Sequence, residues 1–195
     1  MGKRIAIIQG HPDPGGRHFG HVLGEAYGQG AAAAGHEIKH IAVAELDFPL
    51  LRTKEEWEDG EPPAAVRACQ DTIAWADHLV IIYPLWLGTM PALVKAFFEQ
   101  VLRPGFAVDM STPGKAWTKR LTGKSARVVV TMGMPAFFYR WYFRAHSLKS
   151  LERNILSFCG IGPVRTSLIG MVEGGSPARH QAWRDKLRTL GGLAR

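Results

Sequence analysis

Leu79-Val80-Ile81-Ile82-Tyr83-Pro84-Leu85-Trp86-Leu87-Gly88-Thr89-Met90-Pro91 is the stretch that decides the fold. Its four leading apolar residues show no polar alternation, which predicts a parallel strand buried on both faces. The strand runs into a prolyl turn that carries bulky aromatics, and Pro91 suits a first helical turn, where its missing N–H costs nothing. Such a connection normally uses small polar residues. Trp86, Leu87 and Met90 therefore stand where an open parallel sheet keeps its ligand crevice, and they suit a flat aromatic ligand against apolar walls.

Outward from this stretch, strands and helices alternate. Arg4 to Gln9 reads as a first buried strand, followed by a Gly/Pro-rich loop and a helix from about His18 to Ala34. Glu37 to Val43 is a more polar strand, expected nearer a sheet edge. Leu46 to Pro63 is an acidic loop longer than usual connections. A helix over Ala64 to Ala76 leads to the strand His78 to Tyr83, and the helix after Pro91 runs to about Leu102. Arg103 to Lys124 is a second long excursion, holding Gly105, Phe106, Pro113, Gly114 and Trp117. Ala126 to Thr131 is a strong strand. An aromatic segment, Phe137 to Phe143, precedes a helix from Leu148 to Cys159. Pro163 to Ile169 makes a fifth strand and Pro177 to Leu193 a closing helix. Strict alternation with five strands predicts one doubly wound α/β domain over residues 1–195, in the flavodoxin-like order 2-1-3-4-5.

Composition narrows the function. The 195 residues carry 24 Lys and Arg against 17 Asp and Glu, a formal net charge of +7. The basic residues dominate the part after residue 115, beginning with Lys115, while Glu55, Glu56, Glu58, Asp59 and Glu61 gather in the acidic loop. No zinc-finger or RNA-binding signature accompanies the charge, so a field attracting phosphorylated small molecules is expected rather than a nucleic-acid surface. Cys69 and Cys159 form no disulfide framework, lack metal-ligand spacing, and read as core thiols. No apolar run is long enough to span a membrane and no signal peptide is legible, so a cytoplasmic location is expected.

Three strand ends carry unusual residues. The first loop, Gly10-His11-Pro12-Asp13-Pro14-Gly15-Gly16-Arg17-His18-Phe19, opens a helix whose N-terminus favours an anion, with His11, Arg17 and His18 as further donors. The Rossmann fingerprint is missing. A Walker A motif fails because Gly16 and Arg17 stand where Lys and Ser/Thr are required. The second loop is the aromatic turn, where the backbone N–H groups of Trp86 and Leu87 are candidates to bond the polar edge of a ring. In the third, Thr131-Met132-Gly133-Met134-Pro135, Gly133 permits a close backbone pass. Tyr139 and His146 downstream are its candidate proton-handling groups.

Taken together, these residues resemble the NAD(P)H:quinone oxidoreductase family, flavoproteins of flavodoxin-like fold. His11, Pro12, Pro14 and Phe19 are similar to that family's Ala-His-Pro-x-Pro-x-Ser-Phe-Asn loop. Pro84 to Lys95 resembles its Pro-Leu-x-Trp-x-x-x-Pro-Ala-x-Leu-Lys segment, Pro104-Gly105-Phe106-Ala107 follows in the expected place, and Leu148 to Gly162 resembles its late helix and Phe-Cys-Gly ending. The resemblance implies that His11, Arg17, His18 and Phe19 hold the phosphate tail of a flavin. Pro84, Leu85, Trp86 and Leu87 would hold the isoalloxazine, with Thr131 and Gly133 on its pyrimidine side. Tyr139 and His146 would stabilise charge as hydride arrives at N5. The family's Thr-Thr-Gly-Gly turn is here Thr131-Met132-Gly133-Met134, and Arg17, His18 and Gly20 replace the usual phosphate ligands.

What the resemblance implies is a ping-pong enzyme using FAD, with FMN as the alternative. NADPH is mildly favoured over NADH, a quinone or similar aromatic is the acceptor, and a homodimer partner completes the pocket. Two other readings compete: a one-electron carrier, which the basic balance disfavours, and a flavin-binding regulatory subunit of an ion transporter.

Overall fold

The computed structural model describes residues 2–109 and 117–195; Pro113, Gly114 and Lys115 of the second excursion lie outside the described residues. Strands β1 (Arg4–Gln9), β2 (Glu37–Ala42) and β3 (His78–Pro84) build the first half of the sheet around helices α1 (Phe19–Ala33), α2 (Lys54–Glu58) and α3 (Ala64–Trp75). Helix α4 (Ala92–Val101) leads to a small antiparallel hairpin, β4 (Val108–Asp109) with β5 (Thr118–Lys119). Then come β6 (Ser125–Thr131), α5 (Ala136–Trp141), α6 (His146–Ser150), a π turn over Leu151–Leu156, α7 (Ser157–Cys159), β7 (Val164–Ile169) and α8 (Pro177–Gly192).

The main sheet has five parallel strands in the order β2-β1-β3-β6-β7, which is 2-1-3-4-5 once the hairpin is set aside. The fold expected from the alternation is the fold observed, and the polar strand Glu37–Ala42 does lie at an edge. Two details differ from the sequence reading. The aromatic segment contributes a helix of its own, α5, and both long excursions contain short regular elements. Aromatic and β-branched residues carry weak helix preference, so tertiary packing decides that segment.

Strand period explains the two-sided core. Ile5, Ile7, Val80, Ile82 and Val129 face one apolar layer with Leu23, Tyr27 and Leu187 of the α1–α8 side. Ala6, Ile8, Leu79, Ile81, Val128 and Val130 face the other, against Ile73, Val94, Phe97 and Leu151. Each fully buried Ile, Leu or Phe contributes roughly 1.5–3 kcal/mol, so the three central strands anchor the fold. Helices α1 and α8 approach closely because both carry glycine at the crossing. A Cβ on Gly30 would stand 1.8 Å from the Arg188 carbonyl oxygen, and one on Gly191 would stand 2.0 Å from that of Tyr27. Both cysteines are buried and free, and burial pushes each thiol up to about 11.

Candidate functional site

The carboxyl ends of β1, β3 and β6 open together onto a crevice of about 460 Å³. That volume lies within the range of small-molecule sites. His11, His18, Phe19, Pro84, Leu85, Trp86, Thr131 and Gly133 line it, so eight of the ten residues expected to hold a cofactor are brought together. The topology does this: β3 is the central neighbour of both β1 and β6, and the Leu85 N–H donates to the Thr131 carbonyl at 2.7 Å, locking the two later strand ends side by side.

Arg17 is exposed and does not line the crevice, and Leu87 borders a different cavity. Asp13, Gly20, Met132, Val172 and Glu173 complete the lining. Asp13 carried a legible signal, since Asp two residues before Gly15 is an Asx-turn pattern. Val172 and Glu173 carried none; they arrive because the segment after β7 folds back, with the Val172 N–H donating to the Met132 carbonyl at 3.2 Å.

The anion end of the crevice is built from histidines. The rings of His11 and His18 stack at 3.7 Å between centroids, and His21 lies 5.4 Å from His11. Asp13 accepts from the Gly15 N–H at 3.0 Å and pairs with His18 Nε2 at 2.8 Å. Those contacts, His18 foremost, hold the Asp13 carboxyl below its usual range. Burial first, and then the charge of His18, pulls His11 and His21 down. Phe19 packs on His180 at 4.5 Å, and His180 Nε2 lies 3.0 Å from the Val172 carbonyl, fixing that wall. A carboxylate oxygen thus already sits on the loop donors that an ionised phosphate would use, so this loop fits the anionic tail of a flavin.

The aromatic turn has a defined shape. The Trp86 N–H donates to the Thr89 carbonyl at 2.8 Å and the Thr89 N–H returns to the Trp86 carbonyl at 2.9 Å. Leu87 (φ 46°) and Gly88 (φ 79°) take left-handed backbone, the pattern of a tight two-residue hairpin. A leucine there is strained, and its side chain is fully exposed. The Trp86 N–H is consequently spent within the turn, contrary to its expected role on a ring edge. Trp86 itself is half exposed. It separates the crevice from a second cavity of about 470 Å³ that runs past Met90 and Lys95 to Ser147.

Tyr139 and His146 are held apart from the crevice lining. The Tyr139 ring is buried, its hydroxyl lies 2.7 Å from Ser147 Oγ and it accepts the Leu148 N–H at 3.2 Å. His146 is exposed at the start of α6. Among the described residues no group of three His, Cys, Asp or Glu side chains is placed to hold a metal ion, and no helix is long and apolar enough to cross a membrane.

The model of a family described by its flavodoxin-like fold matches residues 3–190. A Haemophilus influenzae protein named as an NAD(P)H oxidoreductase is 27% identical over 171 residues, covering 86% of this chain and 83% of that one. The FMN-dependent NADH:quinone oxidoreductase of Nitratidesulfovibrio vulgaris is 26% identical over 172 residues, 78% of each. Among solved structures, the NAD(P)H:quinone oxidoreductase from Methanothermobacter marburgensis superposes with a TM-score of 0.85 over 100% of both chains at 24% identity, a likeness of fold.

Proposed function

This chain belongs to the flavodoxin-like fold family, and from that premise we propose that it is a flavin-dependent NAD(P)H oxidoreductase reducing quinone-like aromatic acceptors. The observation that carries the reading is one crevice with an anion-holding loop at one end and apolar walls at the other. A flavin held there would supply the redox chemistry, linking NAD(P)H oxidation to two-electron reduction of the acceptor, while the protein sets its orientation and electrostatics.

The chain's own residues bind, orient and exclude water. His11 and His18 hold the tail together with the first N–H groups of α1. Trp86 and Met132 supply apolar surface for the ring system, and Thr131 and Gly133 line its polar edge. Arg17, exposed on the same loop, adds positive charge at the entrance. Of the two flavins, FMN fits better than the FAD first expected. Asp13 and Glu173 both line the crevice, so every added phosphate adds repulsion from carboxylates. NADPH is the favoured reductant on the basic balance of the chain.

Tyr139 and His146 line neither the crevice nor the neighbouring cavity; Tyr139 reaches the second cavity only by fixing Ser147, which lines it. The fully exposed Leu87 and the open cavity beside it favour a homodimer whose partner covers the turn.

The deciding experiment is the visible spectrum of the purified protein after incubation with excess FMN. Bound flavin absorbance, retained through gel filtration and bleached by NADPH, is the expected result; a colourless protein overturns the proposal. Mass measurement of the heat-released ligand separates FMN from FAD. Trp86→Ala should weaken flavin affinity about tenfold or more by removing an indole wall, with folding unaffected because the side chain is half exposed. Flavin fluorescence titration reads this directly.

A further inference from the structure

A groove of about 930 Å³ runs along the open edge of β7, between α8 and the α5–α6 segment, and shares no lining residue with the crevice. Its floor includes Arg127, which reaches from β6 and is only 5% exposed. Nη1 of Arg127 donates to Ser167 Oγ at 2.8 Å and Nε donates to the main-chain oxygen of Arg195. Nη2 has no partner among the described residues. Arg140, Arg144, Lys149 and Lys186 line the same groove, with Glu152 as its one acidic lining residue. None of the five cations lies within ion-pair distance of an Asp or Glu side chain among the described residues. Arg127 is the one buried cation of the five, and the four exposed cations that line the same groove add a positive field that an anion seated over it would relieve.

Aromatic rings accompany the charge. Phe137 and Trp141 line the groove, and Trp141 is 80% exposed. Trp183 lines the opposite side under the Lys186 ammonium, 4.6 Å from its ring centroid. Arg144 is presented from a strained turn, since it and Ala145 both hold left-handed backbone, at φ 52° and 49°. Such strain persists where surrounding contacts over-determine it and often marks a ligand site. Here the Tyr139 hydroxyl fastens the residues that follow, Ser147 and Leu148.

We propose that this groove binds a purine nucleotide carrying at least two phosphate groups. Its phosphates lie over Arg127, Arg140 and Arg144, and its base stacks on the Trp141 side. A second copy of this chain would set the same cations against one another if it docked through this face symmetrically. An extended acidic peptide would spread its charge along the strand. Here the cations share one groove with a buried guanidinium in its floor, which suits a compact polyanion, and bare indole surface suits a base.

The test uses the protein saturated with FMN, so that the loop beside His18 is filled, and follows ADP, adenosine and pyrophosphate by calorimetry and tryptophan quenching. ADP should bind, and adenosine and pyrophosphate should each bind about tenfold more weakly or worse, because each lacks one half of the recognition. The paired substitution Arg140→Glu with Arg144→Glu should weaken ADP about tenfold or more while FMN affinity stays unchanged. Both residues are exposed, so the fold tolerates the change. Trp141→Ala should bring ADP down to the level of pyrophosphate. The proposal is overturned if ADP gives no signal, if the paired substitution leaves ADP binding intact, or if pyrophosphate binds as well as ADP. It also fails if that substitution dissolves a self-associated species and nothing else. Flavin retention is read separately, so failure of the crevice assignment and failure of the groove assignment remain distinct.

Discussion

At the scale of single residues, the site turns on Asp13. Its carboxylate occupies the Gly15 N–H and His18, two of the donors that an anionic tail needs. Asp13→Asn keeps the hydrogen-bonding shape but removes a negative charge from the anion end, so FMN affinity should rise several-fold. Quenching of flavin fluorescence measures it, and a weaker complex would mean that Asp13 orders the loop for its ligand instead of competing with it. Leu87 teaches a related lesson. An apolar residue held in left-handed backbone and fully solvated gains nothing for the isolated fold, which is the ground on which the proposed homodimer places a partner over it.

At the scale of elements, α5 and α6 meet at a corner that no local preference would choose. Two successive left-handed residues, Arg144 and Ala145, are tolerated because Tyr139 bonds both Ser147 and the Leu148 N–H. Tyr139→Phe leaves those groups without their partner and should cost about 1–2 kcal/mol of stability by chemical denaturation. Flavin reduction should change little. A drop of tenfold or more in stopped-flow rate with flavin binding intact would instead return the hydroxyl to the flavin edge. The long acidic loop is fixed in the same economical way. Arg103 donates to the carbonyls of Glu56 and Gly60, and Gln100 to that of Pro49, so α4 and the residues just past its end carry the loop.

At the scale of the whole molecule, His78 links folding to pH. It lies at the start of β3, with Nδ1 2.8 Å from Ser125 Oγ and Nε2 buried without a partner. Burial first, then the charges of Lys3 and Arg127, pushes it down to about 4. The folded state refuses a proton that the unfolded chain accepts near pH 6.5, so this contribution is complete above about 6.5 and is lost as pH falls toward 4. The loss is about 3 kcal/mol at most, and it stops once both states are protonated. Thermal melts from pH 7 to 4 should show the decline, and His78→Gln should flatten it. An equal slope in the variant would assign the acid sensitivity to other groups.

Period and punctuation determined the strand order class and most of the helices that flank it, while the set of residues of which eight meet in the crevice came from the resemblance of the three loops to a known family. Runs such as Leu79 to Ile82 and Val128 to Val130 admit no other burial, and Pro91 marks a helix start in any context. Three things awaited the tertiary structure. The Trp86 N–H is consumed by Thr89, Tyr139 is consumed by Ser147, and Arg127 comes to rest under an open sheet edge among cations from the α5–α6 segment and α8. Each depends on which donors and charges become neighbours across the sheet and its corners. That is a property of packing between distant segments, and a one-dimensional pattern does not contain it.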